Sequence, residues 1–193
     1  MKLYLGKCTT VTIVFTILLF VAACASNEIV NLNRWGLIGA PVWTQTNDGV
    51  KAGPTDLKSY LVSTNRYSDF HLRAEFRIDD DTNSGIFIRC KSIATFDDIN
   101  PIDCYEVNIW DNHPNQDFRT GSIVTKKPPE TTLSTLSRWN VYEIVARGQN
   151  IQVLLNGQRL NSLNDATLDQ GQIALQYWGK NELEFRNLTI DEL

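Results

Sequence analysis

The chain predicts an all-β fold in which two antiparallel sheets pack face to face, and three observations lead there. Past Ala25 no helical stripe of useful length occurs, while short alternating runs recur between Gly, Asn, Asp and Pro clusters. Three turns are strong hairpin or meander signals: Gly148-Gln149-Asn150, Asn156-Gly157 and Gly179-Lys-Asn181. Just before the first, Val141, Glu143 and Val145 alternate with Tyr142, Ile144 and Ala146. Apolar side chains on both faces are expected of a strand inside a sandwich.

Taken in order, alternation and β-branched or aromatic content place strands at 37–43, 50–52, 60–63, 70–78, 85–90 and 104–110. Further strands follow at 122–125, 139–147, 150–155, 158–160, 171–177 and 183–193. The pattern dissolves into Asp, Asn, Pro and Thr at 93–104 and 112–137, which reads as two long loops on the sandwich, where function tends to collect.

The N-terminus carries Lys2 and Lys7, then an apolar run from Val11 to Ala23 that ends in Val21-Ala-Ala-Cys24. That run falls short of the roughly 20 residues that span a bilayer. It reads as a lipoprotein signal over residues 1–23, with Cys24 the lipidated first residue, a tether over 24–31 and one domain over 32–193. The expected location is therefore an exported, lipid-anchored one. Ala25 after the cysteine resembles an outer-membrane address where the cell has such a membrane. Removing a leader with two lysines and no acids leaves 16 bases against 22 acids, a net charge of −6. With no basic stripe, this excludes nucleic acid as an expected partner. Outside the leader and the lipidation site only Cys90 and Cys104 remain, and in an oxidising compartment they predict a disulfide, with free thiols the alternative. Simple alternation from Arg89 and Glu106 would put the two cysteines on opposite faces, so a bulge is required, expected near Cys104.

Strand Tyr105-Glu-Val-Asn-Ile-Trp-Asp111 supplies the candidate site. Tyr105, Val107 and Ile109 leave one side for the core, and Glu106, Asn108 and Trp110 leave the other. A carboxylate, an amide and an indole in line are what a sugar ring asks of a surface. Arg89, after Asn83-Ser-Gly-Ile-Phe-Ile, is expected to share that face, as are Gln176 and Trp178 by parity. Core packing is the alternative for Trp178, and an ion pair the alternative for Arg89. Asp111 and His113 complete a catalytic candidate set with Glu106 if the chain bends after Trp110; otherwise Asp111 starts a turn and His113 is a loop residue.

The segments Asn83 to Arg89, Tyr105 to Asp111, Thr120-Gly-Ser-Ile123, Arg138 to Ile144, Leu155-Asn-Gly157, Gly171 to Gln176 and Phe185-Arg-Asn187 occur in one order. As an ordered set they resemble the 3-keto-disaccharide hydrolase family, also known as DUF1080. The resemblance implies a concanavalin A-like jelly roll and a hydrolase acting on oxidised sugars. In that chemistry a ketone at C3 acidifies the C2 proton, the enolate expels the C1 substituent, and water adds. The roles then implied are Glu106 as base or acid, Arg89 or Asn108 as donor to the enolate or keto oxygen, and Asp111 or His113 as second proton carrier. Asn108 stands where many members have Gln, and the loop Asn112 to Arg119 is a subgroup version.

No zinc spacing, nucleophile elbow, Walker loop or dinucleotide fingerprint occurs. No cofactor or metal is expected, and a separate dehydrogenase would have to supply a 3-keto substrate. Two rivals remain: a retaining glycosidase built on Glu106 and Asp111, and a noncatalytic carbohydrate-binding module.

Overall fold

The computed structural model describes residues 30–79 and 82–193, so the leader and Cys24 lie outside the described residues. Twelve strands occur among them: β1 (Trp35–Gly39), β2 (Trp43–Gln45), β3 (Gly49–Ala52), β4 (Thr55–Ser63), β5 (Phe70–Ile78) and β6 (Thr82–Cys90), then β7 (Tyr105–Ile109), β8 (Trp139–Arg147), β9 (Asn150–Leu155), β10 (Gln158–Asn164), β11 (Gln172–Gly179) and β12 (Leu183–Glu192). They form a five-stranded sheet, β1-β4-β11-β6-β7, and a seven-stranded sheet, β10-β9-β8-β5-β12-β3-β2. Every strand pair within the sheets is antiparallel. This is the jelly-roll sandwich that the sequence predicts.

The alternation that predicts the strands also fills the space between the sheets. Phe70, Leu72, Ala74, Phe76 and Ile78 of β5 meet Ile86 and Ile88 of β6, Tyr105, Val107 and Ile109 of β7, and Leu175 and Tyr177 of β11, all fully buried or nearly so. Val30 also enters this core, and the Gln45 side chain binds the carbonyl of Val30 and the amide of Leu32. The packed chain therefore begins before residue 32, and a free tether cannot extend to residue 31.

Local departures from the expected strands have simple causes. Ala40-Pro41 splits the first run into β1 and β2, because proline offers no ladder donor. The segment 122–125 makes isolated bridges only, yet it lies along the free edge of β7. There Asn108 N donates to Ser122 O, Gly121 N to Asn108 O and Val124 N to Glu106 O, so the edge is covered by loop. Strand β8 is apolar on both faces, but only Tyr142, Ile144 and Ala146 enter the core. Val141, Glu143 and Val145 are half-buried on the outer face, where Glu143 pairs with His71 at 3.2 Å. Arg186 is structural on the same sheet, 2.8 Å from Glu75 and stacked 3.7 Å above Trp139.

The disulfide between Cys90 and Cys104 is closed across 14 residues, and the bulge it requires lies in β6. Between the pairs Gln172↔Cys90 and Ala174↔Phe87, β6 has one residue more than β11. Arg89 adopts a left-handed backbone with φ 49°, and the turn of the chain there returns Cys90 to the outer face of the five-stranded sheet, beside Cys104. Gly171 permits the close approach: a Cβ at that position would lie 1.9 Å from the Cys90 carbonyl oxygen.

The same bulge corrects the placement of Arg89. Its side chain is 0 % exposed and turns away from Glu106. The guanidinium donates to the carbonyls of Ser68 (2.6 and 2.9 Å), Gly148 (2.7 Å) and Leu168 (3.3 Å) and to Asp69 Oδ1 (3.1 Å). Asp69 Oδ1 also accepts from the Gly148 amide. Arg89 thus ties three loops at one end of the sandwich.

Two outcomes are expected. Replacing both Cys90 and Cys104 by Ser should lower unfolding free energy by about 2–3 kcal/mol, as for a loop of this length, read by urea denaturation with and without reductant. Arg89→Met should cost about 3–5 kcal/mol, because carbonyls and a carboxylate lose a buried cation. An Arg89→Met protein of unchanged stability would contradict the structural role.

Candidate functional site

The outer face of the five-stranded sheet has two zones, both set by register. In the first, Val62, Ala174, Phe87, Cys90 and Cys104 form a small apolar cluster with Tyr60 under the loop that follows β6, a loop the disulfide holds down. In the second, a row crosses the sheet from Asn108 through Gly85 and Gln176 to Tyr60, each pair directly opposite. Gly85 leaves a gap in that row. A Cβ there would sit 3.4 Å from Glu106 Oε1 and 3.5 Å from its Cγ, so the Glu106 side chain lies over the glycine.

Glu106 is partly buried and belongs to no ion pair found within 4 Å among the described residues. Burial penalises its charged form and pushes the carboxyl up to about 7, against a weaker pull downward from Lys58. The Tyr60 hydroxyl is likewise raised, first by burial and further by the Glu106 charge, while its bond with Gln176 opposes the shift. Gln176 donates from Nε2 to Tyr60 Oη at 3.0 Å, and its own Oε1 is buried with no hydrogen-bond partner. A buried acceptor without a donor is costly unless something else supplies one.

One step further along the strands the face opens into a cleft of about 290 Å³ lined by Thr55, Asp56, Asn83, Trp110, Trp178 and Lys180. Trp178 is 39 % exposed; its indole N–H donates to Asp56 O, and Lys58 Nζ lies 5.8 Å from its ring centroid. The Trp110 ring is braced edge-on by His113 at 4.5 Å, and His113 in turn packs against Phe118. Two tryptophans beside amide, hydroxyl and charged groups give the mixed lining on which a sugar ring can rest.

The remaining candidates occupy other positions. Asp111 is expected to bend toward Glu106, but it continues the core-side parity of Tyr105, Val107 and Ile109. Its carboxylate accepts from Thr120 Oγ1 (2.5 Å), Thr135 N (2.7 Å) and Thr135 Oγ1 (2.8 Å), and it is buried. It therefore locks the 112–137 loop and does not face Glu106. His113 turns its Nδ1 to the Asn115 backbone, 3.0 Å from the nitrogen and 2.8 Å from the oxygen, with its ring against Trp110 and Phe118. The Asn108 amide N–H binds Phe118 O and its oxygen accepts from Ile109 N, so it has little left for a ligand. No group of three or more His, Cys, Asp or Glu able to hold a metal occurs among the described residues.

Lys58 and Tyr60 join the site without any sequence motif to mark them. Both sit on β4, remote in sequence from Glu106. The available signal is the alternation of Lys58, Tyr60 and Val62 with Ser59, Leu61 and Ser63, which puts the first three on one face.

Comparison with known proteins fits this architecture. A candidate glycosyl hydrolase of Parabacteroides distasonis is similar at TM-score 0.67 and 22% identity, over 83% of this chain and 100% of that one. The carbohydrate-binding module CBM66 of Bacillus subtilis is similar at TM-score 0.61 and 19% identity, over 83% and 98%. A Bacillus licheniformis beta-glucanase gives TM-score 0.59 and 12% identity, over 86% and 95%. At such identities these likenesses establish the fold alone. No curated protein matches the sequence. The model of the 3-keto-alpha-glucoside-1,2-lyase-like domain matches residues 28–191, nearly the whole of the folded chain and the row around Glu106, and this protein belongs to that family.

Proposed function

We propose that this protein cleaves 3-keto glycosides by elimination and hydration, with Glu106 moving the proton. The observation that carries the reading is a partly buried carboxyl, with pKa raised to about 7, lying over the side-chain-free Gly85 beside a tryptophan cleft. A general base works best when its pKa is near the operating pH.

In this mechanism ionised Glu106 takes the proton from C2, and the electron pair moves into the C3 carbonyl to give an enolate. Lys58, whose charge acts on Glu106, balances the new oxyanion. That role moves to Lys58 because Arg89 is committed to the loops behind β6. The enolate reforms the ketone, a C1–C2 double bond forms, and the C1–O bond breaks. The carboxyl that has just received a proton passes it to the departing oxygen. Water then adds at C1, and a proton returns to C2. Gln176 Oε1, lacking an internal donor, is placed to accept from a sugar hydroxyl.

The carboxylate pair of a retaining glycosidase should lie about 5–5.5 Å apart across the bond. Asp111, engaged by Thr120 and Thr135 on the core side, does not provide the second member. Export and a lipid tether at Cys24 are part of the proposal, supported by the leader sequence and by a disulfide that suits an oxidising compartment. The ketone would come from a separate sugar dehydrogenase.

Three results are expected. The mature protein should release monosaccharide from 3-keto-trehalose or 3-keto-sucrose and not from the unoxidised parents; saturable sugar binding with no turnover would make it a binding module instead. Glu106→Gln should lower kcat by about 10²–10⁴ while keeping the fold. For the wild type, kcat/KM should fall on the acid side as Glu106 protonates, to about one hundredth of its plateau two pH units below its pKa.

Stability should move the opposite way. A carboxyl whose folded pKa exceeds its unfolded value binds more protons in the native state, so stability is lost as pH rises from about 4.5 through 7. Glu106→Gln should therefore be more stable than wild type at pH 8, by roughly 1–3 kcal/mol, and should show little gain at pH 4. Equal melting temperatures at pH 8 would contradict the burial of a charge.

A further inference from the structure

Beside the Glu106 row lies a second, larger recess that the mechanism above does not use. It has a volume of about 570 Å³ and lies between the end of β1, the start of β4 and the short 3₁₀ turn Phe96–Asp98. Its apolar lining comes from Pro41, Leu57, Tyr60, Phe96 and Ile99. Leu57 is 68 % exposed and Phe96 46 %, which is unusual for side chains of that size on a polar surface. Tyr60 and Phe96 meet edge to face at 5.9 Å, forming an aromatic corner.

The recess is preformed. The loop that carries Phe96 starts and ends at the disulfide, and the Asp98 carboxylate accepts from the amides of Ala94 and Thr95, both at 2.8 Å, and from the Thr95 hydroxyl at 3.1 Å. Asn100 and Asp103 bind each other, and Lys91 pairs with Asp103 at 2.7 Å. Few motions need to be frozen when a ligand enters.

The recess is also continuous with the reaction centre. Tyr60 and Lys58 line it, and both interact with Glu106 or with Gln176 beside it. Lys58 over Trp178 forms the ridge between it and the tryptophan cleft. The two sides differ in chemistry. The tryptophan cleft offers Asn83, Asp56, Thr55 and Lys180 to hydroxyl groups. The larger recess offers the charges of Lys58 and Asp97 and a Tyr60 hydroxyl whose oxygen already accepts from Gln176. A second hexose there would place several hydroxyls against carbon, whereas a flat aromatic ring would meet the carbon of Pro41, Leu57, Tyr60, Phe96 and Ile99.

We infer that this recess is the leaving-group subsite and that it takes an aryl aglycone, so aromatic 3-keto glucosides are better substrates than 3-keto disaccharides. The inference rests on the catalytic reading above, with the sugar on the Trp178 side of Lys58 and the C1 substituent on the Phe96 side. Leu57 and Phe96 contact only the leaving group and set specificity.

The test compares the 3-keto derivatives of phenyl α- and β-glucoside with 3-keto-trehalose and 3-keto-sucrose, in the wild type and in Leu57→Ser and Phe96→Ala. The expected result is a kcat/KM for one phenyl anomer about tenfold above either disaccharide, with each variant lowering it about tenfold and lowering the disaccharide values by no more than about twofold. A wild type that prefers the disaccharides, or variants that reduce both substrate classes equally or neither, would overturn it. Leu57 projects into solvent, so Leu57→Ser keeps the fold. If no 3-keto compound is turned over, the catalytic reading fails, and calorimetric binding of unoxidised phenyl glucosides decides the recess separately. At least fivefold weaker binding by Leu57→Ser supports an aryl site there; equal binding, or none, removes it.

Discussion

The extra residue in β6 governs the arrangement of the whole site. An arginine with positive φ costs backbone energy, and its side chain repays this by fixing three loop carbonyls and Asp69 at one end of the sandwich. The bulge also changes the face of every residue after it, which brings Cys90 over to Cys104. Closing that bond holds the loop bearing Phe96 over Tyr60 and Phe87. Without the bulge the cysteines would point apart, and the Phe96 side of the larger recess would lose its support.

The second organising constraint is electrostatic. Glu106 sits on a strand whose other face, Tyr105, Val107 and Ile109, is buried in the core, next to a glycine and a cluster of aromatic and aliphatic side chains, with Lys58 its main compensating charge. Desolvation outweighs that cation, so the carboxyl holds a proton close to neutrality. A structural carboxylate would be expected to look like Asp111, which receives three hydrogen bonds from Thr120 and Thr135. The contrast between two acids five residues apart is one of hydrogen bonding: Asp111 is held by three donors, whereas burial penalises the charged form of Glu106.

Much of this is legible in the sequence because the side-chain period of a strand is strict. Parity alone assigns Tyr105, Val107 and Ile109 to the core and Glu106 to the other face, and the Asn156-Gly157 turn appears with both residues at positive φ, as a tight hairpin needs. Parity fails where the chain inserts a residue. Arg89 reads as a face residue because nothing in Ile86-Phe-Ile-Arg-Cys90 marks the bulge except the demand that two cysteines meet. Asp111 and His113 fail for a different reason: a loop of Asn, Asp and Pro can bend either way, and the bend is decided by Thr120 and Thr135, residues with no motif of their own. Lys58 and Tyr60 reach the site only through strand order, which places β4 two strands from β6.

The account turns on the protonation of one carboxyl. A carbon-13 NMR titration of the Glu106 side chain, assigned by its loss in Glu106→Gln, measures it directly in the unliganded protein. A midpoint near 7, well above the other glutamates, is the predicted result. A midpoint in the ordinary carboxylate range near 4.5 would show that Glu106 is solvated and permanently charged at neutral pH, and would contradict its assignment as the group that exchanges a proton with substrate.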